Sequence, residues 1–441
     1  MPDADRDGAR PRTVHTGLRT SAIASCFAVL LGLAITFATG RVISQASFET
    51  SDFAANSLLI QDAKVARLLK GNYSRVGFNH PGPAILYSLA IGEVLFHDWT
   101  HIAPSPIAGQ LIAVAFYTAA WIVLLGLLFL RISGSILATV TSVAIFLTAT
   151  AFLNHEVLTS LWFPDLYYSP FAVFTLALAR LVDGRADSLG SLAVSAGFLI
   201  NGHVAFAALT PMMLAGALLA NGMLARSPLV ARPRTLWSTT AVRTHARPVS
   251  RALAILSLFL APLLLETIVN FPGPVPKYLG YGQATHGHGV VDALRFIGQY
   301  WAADVPALMW AVLCLSLVTC LVANEKHGVR TLPVLAVLVV ASSAVVVYAL
   351  IGIDDLGYRY VANFYYAVPA LGMASAALRL LTELPSPSLR LTVTLASLGC
   401  LGLAYSQITK PLNTRGTTAN HRFPSCSTRC GVWVDSLWCS T

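Results

Sequence analysis

The chain has 441 residues, of which 56% are hydrophobic and only 11% charged, with a mean hydropathy of +0.67. That composition excludes a soluble globule: apolar stretches of about 20 residues recur, the length a helix needs to cross a hydrocarbon core of roughly 30 Å, where only helices and closed barrels satisfy their own backbone. The net charge of +9 is no nucleic-acid footprint, because the arginines fall between apolar segments, as the positive-inside rule places them, and form no continuous basic face.

Residues 1–20, with Pro2, Pro11 and mixed charges, read as a disordered cytoplasmic arm. Thr20 to Val42 is too long for the apolar core of a cleaved signal peptide and reads as a retained signal anchor. Predicted spans then run at about 21–43, 106–130, 132–153, 168–182, 189–201, 203–224, 252–270, 297–322, 331–352, 361–382 and 390–408. The fold expected is an all-α integral membrane protein, a polytopic bundle of about 11 helices. The segment 189–201 is short, and Asn201-Gly202 beside it could equally be a break inside a longer helix.

Segment 83–97 has 15 residues, nearer a re-entrant or interfacial helix than a span. Charge arbitrates, since each extra crossing flips everything after it. With 83–97 not crossing and the N-terminus inside, 17 of the 29 Lys and Arg fall on the cytoplasmic side. With it crossing, that number drops to 11, and Arg226–Arg251, with six arginines and no acid, would have to be translocated. The non-crossing topology is therefore expected. It gives external loops at 44–105, 154–168 and 270–296, an external C-terminus, and 13 of the 20 Asp and Glu outside. A site that needs acids would face outward. In "NHPGP", Asn79 suits a helix N-cap and the prolines a first helical turn.

Cys26, Cys314, Cys320 and Cys400 lie in apolar segments, where a thiol acts as a small hydrophobe. Residues 409–441 change composition abruptly, with Cys426, Cys430 and Cys439 in a Thr/Ser/Asn-rich tail. That tail reads as external and Cys-containing, and a truncated or frame-shifted end explains it equally well.

The order of pieces resembles the GT-C class of glycosyltransferases, multi-pass enzymes that take a sugar from a polyprenyl-phosphate carrier. Relatives by architecture are protein O-mannosyltransferases, lipid A aminoarabinose transferases and actinobacterial arabinosyltransferases. The resemblance is carried by "SDFAANSLLIQDAKVARLLKGNYSRVGFNHPGPAILY", an acid early in a long first external loop followed by juxtamembrane helices, and most specifically by its YSR…NHPGP part. "LTSLWFPDLYYSP" is similar to the second external loop of that pattern, "GFLINGHVAFAALTP" and "PLLLETIVNFPGPVPKYL" to later segments, so that residues 20–310 are covered. Two departures stand out. Phe163 occupies the place of an expected Asn, and no folded external C-terminal domain follows.

The resemblance implies a glycosyltransferase of the plasma membrane that passes a sugar from a lipid-linked donor to a glycan, lipid or protein acceptor of the cell envelope. No nucleic acid and no cofactor is called for. Asp52 would be the base that takes the acceptor hydroxyl's proton, against the plainer reading of a solvated acid or helix cap. Arg75, with Tyr73, His80 and Lys277, would meet the donor phosphate, two of whose oxygens a guanidinium fork can grip. The plainer readings are a headgroup anchor for Arg75 and a hydrogen-bonded turn residue for His80. Asn79, Trp162, Asp165, Asn201, His203 and Glu266 would line the substrate site. Trp162 doubles as an interfacial anchor, and Asn201 and His203 are polar groups at membrane depth, which tend to face a cavity. His286 and His288 with Asp292 make only a weak metal signal, and GT-C enzymes differ in using a divalent cation, so metal dependence stays open. A lipid-linked-sugar flippase and a non-catalytic relative are the rival readings. The spans are nearly free of charge, which counts against a transporter.

Overall fold

Long runs of Leu, Ala and Val form the helices, and the residues between them decide where each ends. The computed structural model describes residues 12–44, 47–226, 239–284, 287–302, 307–322, 331–408 and 417–419. In chain order the helices are α1 (Arg12–Ala38), α2 (Asp52–Lys64), α3 (Ala84–Glu93), α4 (Pro106–Ser133), α5 (Ile136–Asn154), α6 (Tyr168–Val182), α7 (Leu189–Gly202), α8 (Phe206–Leu224), α9 (Thr239–Val269) and α10 (Val275–Ala284). They continue with α11 (Val290–Ala302), α12 (Ala307–Val322), α13 (Leu332–Ile351), α14 (Ala367–Glu383) and α15 (Pro387–Ile408). A π turn, Val94–Trp99, extends α3, and a 3₁₀ segment, Arg359–Tyr366, leads into α14. One short antiparallel pair, β1 (Ser47–Glu49) with β2 (Thr417–Ala419), joins the start of the first long loop to the end of the described chain.

Helix α4 shows how the ends are set. Ser105 accepts the Ala108 N–H at 3.4 Å, Pro106 sits in the first turn where its missing N–H costs nothing, and Gly134 closes the helix at φ 66°. Seven helices among the described residues are long and apolar enough to cross a membrane, joined by shorter apolar helices at Ile23–Ala38, Leu189–Gly202 and Trp310–Thr319. The protein is all-α and polytopic, as the composition implied. Two details differ from the sequence expectation. Helix α1 begins at Arg12, inside the stretch expected to be disordered, while residues 1–11 lie outside the described residues. The 297–322 stretch is divided between α11 and α12; α11 buries Ala293, Phe296, Ile297 and Tyr300 on one face, an amphipathic pattern at helical spacing.

Helix α3 with the π turn that continues it, Ala84–Trp99, is not among the helices long and apolar enough to cross a membrane. It packs closely on α4 through a glycine contact: a Cβ on Gly92 would stand 2.3 Å from that of Ala113. At the centre stands α6, with all 15 of its residues buried among α4, α7, α8, α13 and α14. Its C-terminal end is basic and polar. Arg180 pairs with Asp187 and donates to the Arg131 carbonyl at 2.9 Å, and Asn221 donates to the Val182 carbonyl at 2.9 Å. Arg379, fully buried in α14, pairs with Glu383 at 2.8 Å. The N-terminal end of α6 meets the second loop and the 3₁₀ segment, where the candidate site lies.

Candidate active site

The first long loop turns through Ser51, held at φ 55°, a left-handed conformation that strains a residue with a side chain. Ser51 caps α2, so Asp52 is the first residue of the helix and not its cap. A carboxylate there is favoured by the helix dipole, and it remains exposed. It borders a shallow, narrow cleft lined by Asp52, Phe53 and Asn56 of α2, Gln110 of α4, and Trp162 and Phe163 of the second loop, among others. Phe163, standing where the resembling pattern has Asn, gives that cleft an apolar wall. Below, Gln110 donates to the fully buried Glu93 at 2.9 Å, and Glu93 also meets Lys64 and accepts from Gln61 at 3.2 Å.

The rim of the cleft is aromatic. Trp162 and Tyr360 have ring centroids 4.7 Å apart at 45°, and Tyr358 lies 5.6 Å from Tyr360. The Arg75 guanidinium carbon sits 4.7 Å from the centre of the Tyr358 ring, a cation–π contact. The charges of Arg75, Asp52 and Asp355 all act on the Tyr360 hydroxyl. Tyr281 of α10 donates to Asp354 and also feels Arg75. Asp52, Arg75 and Trp162, far apart in sequence, thus meet around two tyrosines of the segment before α14.

Behind this rim lies Asp165, only 1% exposed, which accepts from Asn363 Nδ2 at 2.6 Å. Burial pushes its carboxyl up to about 6; hydrogen bonds from Asn363 and Ser160 oppose the rise and the nearby Glu156 adds to it. The bond to Asn363 ties the loop bearing Trp162 to the segment bearing Tyr360.

The YSR…NHPGP stretch is a lashing. Tyr73 and Asn79 form an antiparallel bridge, and the Tyr73 N–H donates to Asn56 Oδ1 at 2.8 Å, fixing the loop to α2. The Gly71 N–H donates to the His80 carbonyl at 2.8 Å, so close that a Cβ on Gly71 would lie 2.6 Å from that oxygen. Asn79 does not cap α3, whose cap is Pro83; its amide donates to the Gly71 carbonyl at 3.2 Å. The Gly82 N–H donates to the Asn201 carbonyl at 3.0 Å, and Asn201 Nδ2 donates to the Phe259 carbonyl at 3.0 Å. His80 and His203 have rings 4.3 Å apart, and His80 accepts the Val204 N–H at 3.4 Å. Burial first, then the charge of His203, holds His80 well below its ordinary value. It is a neutral imidazole within packing. Asn79, His80, Asn201 and His203 join the first loop to the α7–α8 break and do not line the cleft.

Glu266 and Lys277 reach the same loop from another side. Tyr278 donates to the Asn79 carbonyl at 2.8 Å, Lys277 precedes it in α10, and the charge of Glu266 acts on the Tyr278 hydroxyl. His288 is held by the Ile353 carbonyl at 2.7 Å, and His286 lies outside the described residues. Among the described residues no three His, Cys, Asp or Glu side chains converge as a cation site. Sequence reasoning missed Tyr358, Tyr360, Asn363 and Gln110. Only the Gly-Tyr-Arg-Tyr spacing after Asp354-Asp355 offered a signal, and nothing in it points to the first loop.

No protein-family profile matches this chain, and no curated protein does. Among solved structures its fold is similar to the crystal structure of ArnT from Cupriavidus metallidurans bound to undecaprenyl phosphate, with a TM-score of 0.50 and 14% identity over 89% of this chain. The matched region spans 66% of the ArnT chain. At that identity the likeness is one of fold, a polytopic helical membrane architecture.

Proposed function

We propose that the protein is a membrane glycosyltransferase that moves a sugar from a polyprenyl-phosphate donor to a hydroxyl of a cell-envelope acceptor at the outer face of the plasma membrane. The observation that carries this reading is a cleft lined by Asp52 and Trp162 whose aromatic rim, Trp162 to Tyr360 to Tyr358, ends under Arg75, on a fold similar to that of a protein seen with undecaprenyl phosphate. The acceptor oxygen attacks the anomeric carbon while Asp52 takes its proton. The bond from that carbon to the phosphate oxygen breaks, and the electron pair leaves on the polyprenyl phosphate. Arg75 meets the phosphate charge as it develops, and Lys277, carried to the same loop by Tyr278, is a second cation for it. Tyr73, Asn79, His80, Asn201, His203 and Glu266 hold the loop that presents Arg75, and Asp165 sets Trp162 against Tyr360.

The test is transfer by purified protein in lipid from radiolabelled polyprenyl-phosphate sugars. Removing a general base lowers turnover by roughly 10²–10⁴-fold, so Asp52→Asn is expected to lose kcat in that range with KM little changed. Full turnover in Asp52→Ala removes the assignment of the base.

A further inference from the structure

The aromatic rim is more than an anchor. Four features of it converge on one kind of occupant. Trp162 and Tyr360 are both half-buried and tilted at 45°, so ring surface stays open at the cleft mouth. Tyr358 is 41% exposed and extends the surface outward. Hydrogen-bonding groups of both kinds border it: the carboxylates of Asp52, Asp354 and Asp355, the Arg75 guanidinium and two phenol hydroxyls. Its charge is lopsided: among the described residues Asp52, Asp354 and Asp355 border it, Arg75 is the cation on the rings, and the Arg359 guanidinium turns away to the Gln299 carbonyl and the Tyr366 hydroxyl.

Resting on the glycosyltransferase reading above, we infer that Trp162, Tyr358 and Tyr360 form a subsite for a neutral sugar ring of the acceptor. A pyranose carries C–H bonds on its faces and hydroxyls around its edge. The C–H hydrogens are slightly positive and settle on the negative face of an aromatic ring, while edge hydroxyls donate to carboxylates. An anionic acceptor fits badly. With Arg75 turned to the donor phosphate, a phosphorylated or carboxylated headgroup would face Asp52, Asp354 and Asp355 unpaired, which disfavours it. The acceptor is thus a neutral glycan, with its sugar ring laid on Tyr360 and Trp162 and one hydroxyl delivered to Asp52.

The experiment measures binding apart from transfer. Full-length protein in lipid nanodiscs is titrated with the methyl α- and β-glycosides of glucose, mannose and galactose, with inorganic phosphate and glycerol as controls, and read by saturation-transfer NMR. At least one glycoside is expected to give saturable signals, strongest on its ring C–H protons, that phosphate does not displace. Tyr358→Ala and Tyr360→Ala are each expected to weaken it roughly tenfold, whereas Tyr360→Phe, which keeps the ring, stays within about twofold. Tyr358 is exposed, so its alanine variant removes contacts at the surface, those with Arg75 and Tyr360, and none in the core. Silence from every glycoside, unchanged affinity in both alanine variants, or displacement by phosphate overturns the subsite. Glycoside binding without any sugar transfer would leave the subsite standing and remove the enzyme; Asp52-dependent transfer without glycoside binding would do the reverse.

Discussion

Asp165 is a carboxyl group kept where water cannot reach it, and its cost can be read from pH. Its ordinary value is 3.8 and its folded value about 6, raised chiefly by burial. Between those limits the folded chain holds a proton that the unfolded chain has released, so stability falls as pH rises through about 4 to 6 and stays reduced above. A rise of that size is worth roughly 3 kcal/mol. Asp165→Asn keeps an oxygen for the Asn363 amide and removes the charge. It is expected to lose the slope between about pH 4 and 6 and to melt later than the wild type at about pH 8, followed by intrinsic fluorescence on heating in nanodiscs. Parallel pH curves for the two proteins would show that the buried carboxyl is not the source. At this scale the sequence was a partial guide. Asp52 and Arg75 stood out because an acid and an arginine in a long polar loop are legible as chemistry. Tyr358 and Tyr360 were not, since their role arises from packing against Trp162 across nearly 200 residues of chain, and tyrosine near a membrane interface is ordinary.

Between elements, the juxtamembrane pair α2 and α3 is joined by charge. Lys64 of α2 bridges Glu93 of α3 and, at 2.7 Å, Asp98 of the π turn. Glu93 is fully buried, and its remaining partners are the amides of Gln61 and Gln110. Removing one member of a buried pair strands the other's charge and costs about 3–5 kcal/mol. Lys64→Met is therefore expected to destabilise by that amount, and Asp98→Asn, at a partly exposed site, by about 1 kcal/mol or less. The double variant Lys64→Met, Glu93→Met is expected to recover most of the loss, since no charge is left stranded. Equilibrium unfolding in mixed detergent micelles measures all three, and a double variant as unstable as Lys64→Met would show the charges to be incidental. Of the eleven spans drawn, seven coincide with described helices long and apolar enough to cross, and these were legible because apolar length alone defines them. Helix α11 was not, because its apolar residues at 293, 296, 297 and 300 lie on one face of a short amphipathic helix, and a window scanning for length merges it with the run that follows. The helix expected at 83–97 is found as α3 and its π turn, but the cap was not read. Asn79 has the chemistry of a cap and spends it instead on the Gly71 carbonyl, a partner brought near only by the Tyr73–Asn79 bridge.

Across the whole molecule, the two ends of the bundle differ in a way that bears on which side the site faces. Helix α4 carries Gln110 at the cleft near its start and Arg131 near its finish, where Arg131 donates to the Asp187 carbonyl at 2.9 Å. Its 28 residues rise about 42 Å, enough to reach from one interface to the other. The basic end gathers Arg131, Arg180, Arg185 and Arg379; Asn221, near the finish of α8, touches α6 there, so Arg226, which follows α8, leaves from the same side. The cleft end brings Asp52, Asp354 and Asp355 together with Arg75. Positive residues stay cytoplasmic, which argues for a cleft on the outside, in the compartment where a lipid-borne sugar would meet an envelope acceptor. Arg75 and Ser250 are both at least partly exposed and stand for the two ends. In a background lacking the native cysteines, Arg75→Cys is expected to react with a membrane-impermeant maleimide on intact cells, and Ser250→Cys only after lysis. The opposite pattern would turn the acidic cleft to the cytosol and separate it from the acceptor on which the proposed chemistry depends. Reaction of both on intact cells would mean that the chain crosses the membrane an even number of times between them, so that α3 crosses or one of the short helices α6 and α7 does not.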